Sequence, residues 1–144
     1  MTISKHLELS ELIRSESAKR LGVSNMPPKE HIENLKLLAV NIFEPIREHF
    51  KVPIRISSGY RSAILNKAVG GSNTSQHSLG QAIDIDMDGT NVKNSDIFEF
   101  IKTLPFDQLI NEFNFAWVHV SYSAKHRKQI LHATKLNGKT IYKS

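Results

Sequence analysis

The chain has no cysteine, so disulfides, thiolate metal sites and a cysteine nucleophile are excluded, leaving imidazoles and carboxylates as its strong metal ligands. It has no run approaching the roughly 20 apolar residues that span a bilayer. The opening segment MTISKHLELSELIRSES is studded with charges at Lys5, Glu8, Glu11 and Arg14, and lacks the basic head and apolar middle of a secretory signal. Synthesis in the cytoplasm without an export signal is the expectation. Acidic residues are absent from 124–144, where six Lys or Arg stand alone, so the remainder is close to neutral although the net charge is +5. Such a basic tail fits either a polyanionic partner, such as an envelope polymer, or a merely solubilising end.

Repeats, low-complexity stretches and Gly/Ser-rich linkers are also missing. The 144 residues, 40% of them hydrophobic, suffice for one buried core. We read one domain over 1–144, with its motif region at 52–122 and a basic tail at 124–144, and expect a monomer. No recognised nucleic-acid-binding pattern accompanies the basic residues.

A first helix is predicted from Ser10, as N-cap, to a left-handed stop at Gly22. Leu35, Leu38, Ala39, Ile42, Phe43 and Ile46 then recur at helical spacing, giving a long amphipathic helix to about Phe50 that Pro45 interrupts or kinks. Strands are predicted at 52–58, 82–87, 107–113 and 115–122, with weaker signals at 129–131 and 140–142. Short helices are expected at 61–68 and from a Ser95 cap to Leu104. The last two strong strands form a hairpin around Asn114. Helices first and a mostly antiparallel sheet afterwards make an α+β fold.

In the strand Ala82-Ile83-Asp84-Ile85-Asp86-Met87, the aliphatic residues take one face and the carboxylates the other. An aspartate inside such a strand carries a desolvation cost that a cation or polar partner must offset. His77 stands seven positions earlier, and a turn at Gly80 can bring the two side chains together. Further on, His119 shares a strand face with Trp117 and Ser121. Taken singly, a strand histidine is usually a satisfied half-buried residue. Two imidazoles and one carboxylate together match a catalytic zinc site with a position left open, and the triad is easy to form if the strands of Asp84 and His119 are adjacent. The other histidines, His6, His31, His49, His126 and His132, are expected to face solvent.

The segment Ser75-x-His77-x-x-Gly80-x-Ala82-x-Asp84, with Trp117-Val118-His119-Val120-Ser121 downstream, resembles the zinc D-Ala-D-Ala metallopeptidases. These include D-alanyl-D-alanine carboxypeptidases, phage L-alanyl-D-glutamate endolysins and, by shared fold, the amino-terminal domain of hedgehog. Ser58-Gly59-Tyr60-Arg61-Ser62, Leu9-Ser10-Glu11-Leu12 and Asn25-Met26-Pro27-Pro28 extend the similarity from Leu9 to about Tyr122. The resemblance implies amino-terminal helices on a small sheet and one zinc ion per chain, held by His77, Asp84 and His119. It implies carboxylate binding by Arg61, which is otherwise a surface arginine, and a position near substrate for Ser75, which is otherwise a loop cap.

Many relatives place a catalytic acid three residues before the last ligand, where this chain has Ala116, and others a histidine where Trp117 stands. Glu112 is therefore the candidate proton carrier, its alternative being a salt-bridged residue at a strand end. Asp86 and Asp88 read as outer or surface acids. The implied activity is hydrolysis of peptidoglycan stem peptides, either at the L-Ala to D-Glu bond or at terminal D-Ala. We expect action on the bacterial wall after release by another factor. A non-catalytic zinc-containing module binding the wall or a partner is the alternative from outside the enzyme class.

Overall fold

In the computed structural model, which describes residues 1–144, strands β1 (Thr2–Ser4) and β2 (Leu7–Glu8) pair and lead into α1 (Leu9–Ile13) and α2 (Glu16–Leu21). The single predicted helix is thus broken at Arg14 and Ser15. The Ser15 hydroxyl accepts from the Ala18 amide at 3.1 Å and starts a new helix, while Asn25 Nδ2 donates to the Ile13 carbonyl at 2.9 Å. These side chains partner backbone groups that an unbroken helix would have used. Glu8 and Glu11, not Ser10, cap the start through a reciprocal box. Gly22 ends the second helix at φ 66°, as predicted.

α3 (Lys29–Leu38) and α4 (Glu44–Phe50) are joined through a π-helical turn, Ala39–Phe43. The widened turn lies directly before Pro45, whose ring would crowd the Asn41 carbonyl in a regular helix. The six apolar residues read from the helical spacing are all buried. α5 (Ala63–Ala68) starts at a Ser62 cap, later than predicted. α6 (Asn94–Ile101) begins before Ser95, with Lys93 at its N-cap position.

The main sheet has six strands in the order β3 (Ile56–Ser58), β4 (Ala82–Ile85), β6 (Trp117–Ser121), β5 (Gln108–Glu112), β7 (Gln129–Leu136), β8 (Lys139–Lys143). All pairs are antiparallel except β5 with β7, so the α+β reading stands. One face turns Ile83, Ile85, Leu109, Val118 and Val120 into a core that also holds Leu35, Ile42 and Phe98 from the helices. The opposite face carries Asp84 and His119. The β5–β6 hairpin turns at Phe113, Asn114 and Phe115, all at positive φ, and the Asn111 side chain accepts from the Phe115 amide at 2.6 Å.

The basic tail is part of this sheet rather than a solvated end. Asp107, 1% exposed, accepts from the Arg127 backbone amide at 2.9 Å and from Arg127 Nε and Nη2 at 3.0 and 2.9 Å. Lys128 Nζ donates to the Leu104 carbonyl at 2.6 Å and lies 4.5 Å from the Phe106 ring centre. Two of the tail's cations therefore fasten the connection that sends β7 back beside β5. The expectation of solvent-facing histidines is also corrected: only His49 and His126 are exposed. His6 meets Glu44 at 2.7 Å, His31 packs on Tyr60, and His132 meets Asn111 at 3.1 Å. No helix is long and apolar enough to cross a membrane.

Candidate metal centre

The site begins with a close backbone approach. Gly59 lies against the Leu12 carbonyl of α1, where a Cβ would collide with it, and the next residue, Tyr60, donates its amide to that carbonyl at 2.7 Å. The Gly59 carbonyl is thereby fixed, and it accepts from His77 Nδ1 at 2.7 Å. This bond fixes the ring and leaves Nε2 aimed at Asp84, the usual way a metal-binding histidine is oriented from behind. His77 sits on a 3₁₀ turn, Gln76–Leu79, that Gly80 closes at φ 73°. A Cβ on Gly80 would strike the His31 carbonyl, so both the conformation and the space require glycine.

Asp84 and His119 are direct cross-strand partners on β4 and β6, so their side chains project from one face. Both imidazoles converge on one oxygen, His77 Nε2 at 3.2 Å and His119 Nδ1 at 2.9 Å from Asp84 Oδ1. The candidate ligand atoms of the three residues lie within 4.8 Å of one another. Burial alone would raise the Asp84 carboxyl, but the charge and hydrogen bonds of His77 and His119 hold it well below the usual carboxylate range. Three convergent nitrogen and oxygen donors, one anionic and one braced from behind, fit a single zinc ion with one position open to a ligand. The triad expected from the sequence is assembled.

This centre opens on a cavity of about 980 Å³ whose walls include Arg61, Ser75, Glu112, Trp117 and Tyr142. Glu112 pairs with Trp117 two residues along from the Ile110–His119 pair, placing it on the His119 face as a diagonal neighbour at about 7–8 Å. Burial raises its carboxyl, and the Asp84 charge adds to the rise against the pull of the His119 charge and the Trp117 indole N–H. Glu112 makes no salt bridge. Ala116 offers only backbone here, its carbonyl accepting from Asn94.

The other nearby acids are engaged elsewhere. Asp107 is held by Arg127 and Gln76, and Asp86 accepts from the Asp88 amide and Asn94 in the turn after β4. Arg61 has a buried Nε with no hydrogen-bond partner. Burial lowers its guanidinium pKa while Asp84 pulls it up, and the group keeps its charge. Ser75 caps the 3₁₀ turn by accepting from the His77 amide at 3.2 Å, and it also reaches the cavity wall.

Sequence reasoning missed the contribution of Tyr142. The strand signal at 140–142 was present, but nothing local announces that β8 joins the sheet through a parallel strand pair. Trp117 stands out in the sequence only as a departure from the family pattern, yet its indole N–H is directed at the Glu112 carboxylate.

No curated protein matches this chain. The profile of one family, peptidase M15, matches residues 5–121 and so takes in every ligand of the triad, the two paired strands that carry Asp84 and His119, and the Arg61 and Glu112 positions. With that match over most of its length and a ligand set suited to one zinc ion, the chain belongs to the peptidase M15 family of zinc metallopeptidases.

Proposed function

We propose that the chain hydrolyses the stem peptides of peptidoglycan, acting as an endolysin-type endopeptidase or a D-Ala-D-Ala carboxypeptidase. The observation that carries this reading is the grouping in one cavity of a metal triad, a carboxylate without a salt bridge and a half-buried guanidinium whose Nε has no partner. Zinc held by His77, Asp84 and His119 would supply Lewis-acid polarisation of a peptide carbonyl and acidify water for attack near neutral pH.

The remaining work falls to side chains. Glu112, its pKa raised by burial, takes a proton from the attacking water and returns it to the departing amine. Arg61 anchors a substrate carboxylate through paired N–H donors, which supplies the partner its Nε lacks. Ser75 holds the His77 turn in shape and presents its hydroxyl at the cavity edge. A terminal carboxylate fits release of D-Ala, and a side-chain carboxylate fits cleavage beside D-Glu. We favour wall lysis by the endopeptidase route. The test is digestion of purified murein by the zinc-loaded protein, with mass analysis of the fragments. Soluble fragments newly ending at L-Ala support the endopeptidase, loss of single D-Ala residues supports the carboxypeptidase, and intact murein sinks both.

A further inference from the structure

Tyr142 lies beyond the residues matched by the family profile, on the last strand of the sheet, yet it lines the same cavity as the metal triad. The register explains how. Trp117 pairs with Glu112, Glu112 with Ala133, and Ala133 with Tyr142, so one row of side chains crosses four strands on the metal-bearing face. The third member, Ala133, is the small one. Neighbouring strands are about 4.8 Å apart, which puts the Glu112 and Tyr142 backbones about 10 Å from each other. Two side chains leaning together over a methyl group can close that gap. Ala133 is only 1% exposed, which is the burial expected if its longer neighbours cover it.

The phenol keeps its proton throughout the neutral range, because burial raises its pKa and the charges of Glu112 and Asp84 raise it further. It is therefore a hydrogen-bond donor beside the carboxylate, yet it makes no hydrogen bond within the chain, and 53% of the residue remains exposed. At the other end of the row, the Trp117 indole N–H is directed at the Glu112 carboxylate. Tyr142 is thus a donor beside Glu112 with no hydrogen bond in the protein, whereas a peptide backbone offers a carbonyl at every residue. The cavity, at about 980 Å³, is at the upper end of the roughly 300–1,000 Å³ typical of small-ligand sites, leaving room for more than a dipeptide.

We propose that Tyr142 is a substrate-binding residue, its hydroxyl donating to a backbone carbonyl of an extended peptide on the Glu112 side of the scissile bond. The last strand then forms a subsite and favours stem peptides of several residues over D-alanyl-D-alanine. This deepens the peptidase reading and rests on it.

The test uses zinc-loaded full-length protein carrying Glu112→Gln, so that peptide is bound and not consumed. The affinity for a synthetic stem tetrapeptide is measured by calorimetry with and without Tyr142→Phe, which removes only the hydroxyl. One hydrogen bond lost should weaken binding about 3- to 10-fold, with Tm and zinc content unchanged. In the otherwise native protein, Tyr142→Phe should raise KM on the same peptide by a similar factor and leave kcat within about twofold. An affinity unchanged by Tyr142→Phe overturns the proposal alone. Failure of the Glu112→Gln parent to bind the tetrapeptide overturns the stem-peptide reading and this proposal with it. An equal loss of affinity for D-alanyl-D-alanine would move the hydroxyl next to the metal and overturn the extended subsite.

Discussion

Replacing Arg127 with alanine should destabilise the protein. Asp107 is 1% exposed and accepts four hydrogen bonds, from Gln76 Nε2, the Arg127 amide, Arg127 Nε and Arg127 Nη2. Arg127→Ala deletes the last two and leaves the others. Breaking a fully buried pair costs about 3–5 kcal/mol. Here the arginine side chain is 46% exposed and two donors remain, so we expect about 2 kcal/mol. For a chain of this size that is a fall in Tm of about 4–8 °C.

The pH dependence follows from the carboxylate. Burial would raise Asp107, but the hydrogen bonds from Arg127 and Gln76 hold it well below its ordinary value. Its stabilisation is therefore complete above the unfolded-state pKa of about 3.9 and is lost as pH falls towards the folded value. Urea unfolding of wild type and Arg127→Ala should show the full difference at pH 7 and a smaller one at pH 3. Arg127→Lys keeps the charge but not the fork and should fall between them. A difference below about 0.5 kcal/mol at pH 7, or one that does not shrink in acid, would refute the lock.

Arg61→Ala should raise KM or lower kcat on muropeptides at normal zinc content, since only a substrate contact is removed; steady-state kinetics with metal analysis checks this, and unchanged kinetics would return Arg61 to the surface. Truncation after Lys135 removes the whole of β8, so it should lower Tm and activity on soluble muropeptides alike. A fully stable, active truncation with weakened, less salt-sensitive wall binding would instead make the tail an electrostatic anchor. Gly80→Ala should cost both stability and zinc, because φ 73° and the His31 carbonyl leave no place for a methyl group; calorimetry and elemental analysis read both, and normal values would refute that account of the turn.

The metal centre was legible in the sequence because each of its determinants is local. Strand alternation put Asp84 and His119 on faces opposite the aliphatic residues, and Gly80 marked the turn that brings His77 to them. Only their adjacency had to come from the fold, and the β4–β6 register supplies it. The break at Ser15 was hidden because a serine serves equally as an exposed helix residue or a cap, and the choice depends on Asn25 reaching the Ile13 carbonyl. The fate of the tail was hidden for a similar reason. Arg127 looked like one of several surplus cations, and its partner Asp107 lies 20 residues away. The parallel pairing of β5 with β7 has no turn between its strands to signal it, so Tyr142 could not be placed.

In the proposed mechanism one zinc centre and one proton carrier share the work, and the paired variants Glu112→Gln and His119→Ala separate the two roles. Zinc content and turnover on muropeptides are measured on the same preparations. Wild type should hold one zinc per chain. Glu112→Gln should keep that zinc and lose about 10²- to 10⁴-fold in turnover, whereas His119→Ala should lose metal and activity together. Near-normal turnover by zinc-loaded Glu112→Gln, or full activity in a folded protein without metal, would contradict the account.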